Sequence, residues 1–329
     1  MDLSLQEAIA NIFGQNVDVS ADIENIFKDE EIQKELQDRI SSLDISALPT
    51  HISATKEDDT LNIAEAIVLV TGRPVLFVQN DSFIAPESDI WQERLNKSKS
   101  LIESAIKAVG RVELRNHPTL DWVGTAWLVA SDILVTNRHV AREFAVKQNN
   151  QFVFRSNPAR QTIRANIDFK VEYEIDSDAP QFKVKDILYI EDDTKLNDGV
   201  PSPDIAFLRI SSGDSLATPI SLFSEPIEQN RDVAVIGYPA RDGDRNNSQV
   251  MDRIFAGVYD VKRLQPGKIT GVKDNFITHD CSTLGGNSGS VVLDLETGKA
   301  LGLHFAGTYR KTNYAVPASV IKDRLDRIR

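Results

Sequence analysis

Cysteine is almost missing from this chain: Cys281 is the only one in 329 residues. No intrachain disulfide can form, which excludes a small disulfide-stapled scaffold and leaves burial to hold the fold together. Long apolar runs are missing too. The longest, residues 64–71, is far too short to span a bilayer and carries Glu65. The opening residues 1–7 are acidic and amphipathic, without the basic-then-apolar pattern of a secretory leader. Positive charge is scarce, with 37 Lys and Arg against 49 Asp and Glu and a net charge of −12. That balance predicts neither general nucleic-acid binding nor docking on an anionic membrane. Histidine is sparse, and no His/Cys/Asp/Glu group shows zinc spacing. Residues 242–247 lack the spacing and terminal glutamate of a calcium loop. The expectation is a soluble cytoplasmic protein with no metal and no cofactor.

What is present is an ordinary 41% of hydrophobic residues, on a chain long enough for one large domain and a smaller one. Residues 1–50 read as helices. Leu3, Leu5, Ala8, Ile9 and Ile12 share a face, as do Ile23, Ile26 and Phe27, and then Ile32, Leu36 and Ile40. Residues 53–60 read as a polar linker and 61–70 as a further helix. A strand at Val75–Val78 and a helix over 88–109 follow. After Gly110 the texture changes to about a dozen short strands between turns, without alternating helices. That pattern predicts a β-barrel or sandwich. The chain therefore divides into a helical regulatory or adaptor region (1–55), an α/β connecting segment (56–109) and a β domain (110–329).

The most informative stretch is Gly286-Asn287-Ser288-Gly289-Ser290. Glycines permit the tight turn, a serine there presents its hydroxyl, and nearby backbone N–H groups can converge on a carbonyl oxygen. Two segments precede it. Gly124-Thr125-Ala126-Trp127 leads into Thr136-Asn137-Arg138-His139-Val140-Ala141, and Pro203-Asp204-Ile205-Ala206-Phe207 follows. In this His, Asp, Ser order the chain resembles the trypsin/chymotrypsin superfamily of serine proteases from about Gly110 onward. The resemblance implies a mainly β fold, a chymotrypsin-like double β-barrel with an N-terminal helical extension. It implies Ser288 as nucleophile, His139 as base and Asp204 as the base's partner, with Gly286 and Ser288 N–H groups as the oxyanion hole. Protein or peptide would be the substrate.

Departures from the digestive enzymes carry information. Asn287 stands where those enzymes have an aspartate that pairs with a newly cleaved N-terminus, so activation by that route is not expected. Val140 stands where many secreted relatives have a disulfide cysteine. The nucleophile region is closer to bacterial glutamyl endopeptidases and related trypsin-like proteins. In those a threonine or serine and a histidine bind an acidic side chain before the cut bond. Thr283 and His304, with Phe305 and Gly307, match that pocket, and Arg310 and Lys311 are nearby cations in sequence. A pocket for small or apolar side chains is the alternative. Cys281 reads as a small buried residue near the pocket wall. An esterase of the α/β-hydrolase type is disfavoured because Ser290 breaks G-x-S-x-G and the triad order differs. A catalytically silent binding module on the same fold is a further alternative. The N-terminal helices would engage an adaptor protein, with a plain bundle core as the alternative.

Overall fold

The computed structural model describes residues 21–42, 69, 71–175, 179–193, 202–211, 217–241, 248–308 and 312–328. The sequence readings at residues 1–20, 53–60 and 242–247, and at Arg310 and Lys311, lie outside these.

Helices α1 (Ala21–Phe27) and α2 (Glu30–Ser42) turn their apolar positions inward, and Ile23, Ile26, Phe27, Ile32 and Leu36 are all buried. The hairpin β1 (Leu76–Gln79) and β2 (Ser82–Phe83) turns at Asn80 and Asp81, both at positive φ, the geometry a two-residue hairpin needs. The helix expected over 88–109 is two helices, α3 (Asp89–Lys97) and α4 (Lys99–Lys107). Ser98 breaks it at φ −110 and ψ 10, and its amide closes α3 onto Leu95 and Asn96. Ser88 caps α3 by accepting from the Trp91 amide at 3.2 Å. Trp91 and Leu95 join the α1–α2 residues in one core cluster. Charge reinforces that seam. Arg94 reaches Asp29 at 2.8 Å, and Lys268 of the second barrel reaches it at 3.2 Å. Burial alone would raise the Asp29 carboxyl, but Arg94 and Lys268 hold it down at about 2.

The first barrel comprises β3 (Val109–Arg115), β4 (Trp122–Leu128), β5 (Ile133–Thr136), β8 (Arg164–Asp168), β9 (Phe182–Ile190) and β10 (Ala206–Ile210). It closes in the order β10-β5-β4-β3-β8-β9. Helix α5 (Arg138–Phe144) and a hairpin of β6 (Ala145–Gln148) and β7 (Gln151–Phe154) interrupt it after β5. Trp127, Leu134, Val135, Phe207 and Leu208 are fully buried.

The second barrel takes β11 (Asp232–Gly237), β12 (Arg263–Val272), β13 (Ile277–His279), β14 (Val291–Asp294), β15 (Ala300–Thr308) and β16 (Thr312–Pro317). Its order β11-β14-β15-β16-β13-β12 closes because β12 pairs back onto β11. Alternation on β11 serves two cores. Val233 and Val235 pack inside this barrel, whereas Ala234 and Ile236 join the cluster shared with the rest of the molecule. Helix α6 (Ser248–Ile254) lies between β11 and β12, and α7 (Ala318–Asp326) closes the chain on β15 and β16. The outer edge of β12 is taken by β13 near its C-terminal end and by β1 near its N-terminal end, through Leu76↔Leu264 and Phe77↔Arg263. The architecture is mainly β, the double barrel that the resemblance implies, with helices packed at its N-terminal side. Among the described residues no helix is long and apolar enough to cross a membrane.

Candidate active site

Ser288 lies in the loop from β13 to β14. The turn around it requires glycine at two positions, Gly286 at φ +80 and Gly289 at φ +88. A Cβ at Gly289 would lie 1.9 Å from the Thr125 carbonyl oxygen. The loop is pinned from both sides. The Thr125 amide donates to the Ser288 carbonyl at 2.9 Å, and the Thr125 hydroxyl donates to the Gly286 carbonyl at 3.0 Å. The Gly289 amide donates to the His304 carbonyl at 2.8 Å, and the Ala240 amide to the Gly285 carbonyl at 2.7 Å. Amides of Asn287, Gly289 and Ser290 are thus consumed by backbone carbonyls. Among the described residues, those of Gly286 and Ser288 donate to none. Asn287 is fully buried and accepts from the Ser290 hydroxyl at 3.3 Å, while its Nδ2 has no partner among the described residues.

Gly289→Ala is therefore expected to destabilise the fold by about 3 kcal/mol or more, from left-handed strain plus overpacking against Thr125. Thermal unfolding checks this; a midpoint within a degree of the parent would contradict it.

His139 sits in the first turn of α5. Pairing of Ala206 with Thr136 places the start of β10 beside the β5–α5 turn, and Asp204 precedes that strand. One Asp204 oxygen accepts from the His139 amide at 3.1 Å, and the other meets His139 Nδ1 at 2.5 Å. Asn137 Nδ2 donates to the Asp204 carbonyl at 2.9 Å. Arg138 secures the approach by donating to the Ser202 hydroxyl at 2.7 Å. The carboxylate is 14% exposed and the imidazole 49% exposed. A sheltered anion thus holds one face of a ring whose other face is open. The helix and the serine loop meet at Gly124, where a Cβ would touch both Val140, at 2.8 Å, and the Ser288 carbonyl, at 2.9 Å.

Below Ser288, strands β15 and β16 and the 280–286 loop gather the pocket residues. The Thr283 hydroxyl donates to Asn313 Oδ1 at 2.6 Å, and Asn313 Nδ2 donates to the Cys281 carbonyl at 2.8 Å. Gly307 pairs opposite Asn313. His304 exchanges backbone bonds with Ser290 and Gly289, and its Nδ1 faces His279 Nε2 at 3.1 Å. Burial lowers both imidazoles, His279 to about 3, and for His304 the nearby His279 ring acts in the same direction. Both are neutral at physiological pH. The Phe305 ring lies 6.2 Å from that of Tyr314. Cys281 is buried, and burial pushes its thiol up, away from redox chemistry. Among the described residues no cluster of His, Cys, Asp or Glu could hold a metal ion. Sequence reasoning missed His279, Asn313 and Thr125. Thr125 was within reach, beside Gly124 in a segment already singled out. The other two are brought in by strand pairing alone.

The model of the trypsin-like peptidase domain matches residues 124–303. A Lysobacter enzymogenes protein named "probable serine protease" is 27% identical over 292 residues, covering 80% of this chain and 74% of that protein. The glutamyl endopeptidase of Staphylococcus aureus is 34% identical over 97 residues, covering 28% of this chain and 29% of its own length. Among solved structures, the active form of a protease from M. tuberculosis superposes with a TM-score of 0.45 at 18% identity, covering 69% of this chain and 83% of that one. The domain match spans more than half of the chain, so the chain belongs to the trypsin-like peptidase family, a serine peptidase.

Proposed function

We propose that the chain is a serine endopeptidase working through Ser288, His139 and Asp204. The observation that carries this reading is the two-point grip of Asp204 on the amide and Nδ1 of His139, on a helix that meets the serine loop at Gly124. With Nδ1 held as a donor, Nε2 is left as the acceptor nitrogen. It takes the Ser288 proton as the hydroxyl oxygen attacks the peptide carbonyl carbon. The Gly286 and Ser288 amides, free of backbone partners among the described residues, stabilise the oxyanion. His139 then gives the proton to the leaving amine, and the acyl group stays on Ser288 until water, deprotonated by the same ring, releases it. Asn287 offers no charge for a new N-terminus, so the uncleaved chain is the working form. A fluorophosphonate probe tests the assignment: it should modify Ser288 in the folded chain and not in heat-denatured chain. No modification would favour a silent module.

The pocket of Thr283, His304 and Gly307, together with Asn313, is proposed to receive an acidic side chain. Because both buried imidazoles are neutral, donation from His279 Nε2 to His304 Nδ1 leaves the His304 proton on Nε2, free to donate to a carboxylate. Thr283 would turn its hydroxyl from Asn313 to add a second donor. A buried carboxylate needs such donors. Peptides with Glu before the cut bond should be cleaved best. His304→Ala should slow them about 10–100-fold while changing apolar substrates a few-fold, the worth of one hydrogen bond to a charge. A preference for Ala, Val or Leu, with His304→Ala slowing all alike, would reject the acidic reading. Residues 1–55 are proposed to recruit or regulate the enzyme through an adaptor, and the lone buried Cys281 suits a reducing cytoplasm.

A further inference from the structure

Gly72 and Arg73 join parts of the molecule that lie far apart in sequence. On one side is the helical region. Trp91 of α3 donates from Nε1 to the Gly72 carbonyl at 2.8 Å, and the Arg73 guanidinium lies over the Trp91 ring, 5.8 Å from its centroid. On the other side is the loop that follows β13. Arg73 Nη2 donates to Asp280 Oδ2 at 2.6 Å, and the Ser282 hydroxyl donates to the Arg73 carbonyl at 2.9 Å. The remaining Asp280 oxygen accepts from the Lys268 amide of β12 at 2.7 Å. One residue outside the loop thus grips it twice, just ahead of Thr283.

Both charges are buried, Arg73 at 0% side-chain exposure and Asp280 at 2%. A pair this dry is weak evidence for stability, since an apolar pair of the same shape often does as well. What it adds is direction: with Nη1 held on the Gly72 carbonyl, the single charge-assisted bond from Nη2 fixes where the carboxylate lies, and with it the backbone of residue 280. From there the chain runs directly to Thr283, whose hydroxyl meets Asn313. Ser288 is held elsewhere, through Thr125 and through Gly289 on His304. The 280–283 side of the pocket and the nucleophile therefore have separate anchors; only the His304 side shares a bond with the serine loop.

We propose that Arg73 is a positioning residue for the substrate pocket, bracing residues 280–283 through Asp280 and Ser282 and making the docked helical region a condition for substrate binding. This rests on the pocket assignment above. The full-length chain is compared with Arg73→Met, Arg73→Lys, Asp280→Asn and the double variant Arg73→Met/Asp280→Leu. Each is assayed on the peptide that the substrate scan ranks first, so that a failed acidic reading and a failed brace are told apart. Arg73→Met should raise KM about tenfold or more and flatten the preference among side chains, because one charge is left stranded under the pocket. Its kcat and its rate of fluorophosphonate modification should stay within about threefold, since the small probe needs only the Ser288 anchors. Arg73→Lys should recover most of the loss. Asp280→Asn should match Arg73→Met, and the double variant should be no worse than either. Wild-type KM and preference in folded Arg73→Met would overturn the brace. If Arg73→Met fails to fold, the same result in Arg73→Lys and Asp280→Asn would overturn it. Equal losses of probe reaction and peptide cleavage would place the effect at Ser288 and overturn it too.

Discussion

Ser288→Ala should lower kcat by about six orders of magnitude, and His139→Ala by a similar amount. The double variant should be hardly worse than either, because nucleophile and base act as one unit and neither works without the other. KM should change little, since the pocket residues are held by β15, β16 and the 280–286 loop rather than by the serine hydroxyl. Near-ultraviolet circular dichroism should be that of the parent, because Gly286 and Gly289 set the turn and not the side chain between them. Active-site titration and steady-state kinetics on repurified protein make the measurement. A residual rate above one per cent that persists through further purification would remove Ser288 from the chemistry.

Asp204→Asn should cost about 10⁴-fold in kcat with substrate affinity nearly unchanged. The geometry explains why an isosteric change is so damaging. Both carboxylate oxygens are in use, one on the His139 amide and one on its Nδ1. An asparagine has one acceptor and one donor group at its tip. With its oxygen on the backbone amide, its NH2 faces Nδ1 and drives the ring proton to Nε2, the nitrogen that should accept from Ser288. With the amide flipped, NH2 is opposed to the His139 N–H. Neither orientation serves. Folding should survive, because Asn137 still binds the carbonyl of residue 204. If Asp204→Asn kept activity within tenfold of the parent, Asp204 would be a structural residue and the base would owe its tautomer to something else.

The parts of this molecule that were legible in sequence are those fixed by local backbone demands. Gly285 and Gly286 announced a tight turn; Gly286 has positive φ and Gly285 does not, the second left-handed position being Gly289. Residues 133–136 read as a strand and form one over that span. Short strands between turns predicted a β-barrel or sandwich, and the double barrel came from the resemblance carried by the His139, Asp204 and Ser288 segments. The helix expected over 88–109 is broken at Ser98, which is no helix breaker by type, so the break has no local mark in sequence. Strand β12 begins at Arg263 and runs through Pro266, a residue that reads as a strand breaker. The Ile269 amide donates toward β11 and that of Lys268 toward Asp280 on the opposite edge. Pro266 shares the orientation of Lys268, so its missing N–H falls in the gap between β1 and β13. No ladder bond is lost there. His279, Asn313 and Arg73 reach the site only through pairings between distant strands, and a single sequence carries no local mark of those.

Arg73 and Asp280 are 207 positions apart, and the strand that follows Arg73 has its partner on β12. At ribosomal rates of about 5–20 residues per second, residue 73 leaves the ribosome roughly 10–40 s before its carboxylate exists. Through that interval β1 has an unpaired edge and the guanidinium has no anion, while the first barrel can already close from β3 to β10. The chain is thus assembled with His139 and Asp204 in place long before either the nucleophile or the floor beneath it. On the proposed assignment, the nascent chain has a base and its partner but no nucleophile until Ser288 is made. An early segment thus waits on a late strand, so the N-terminal side and the second barrel are completed together.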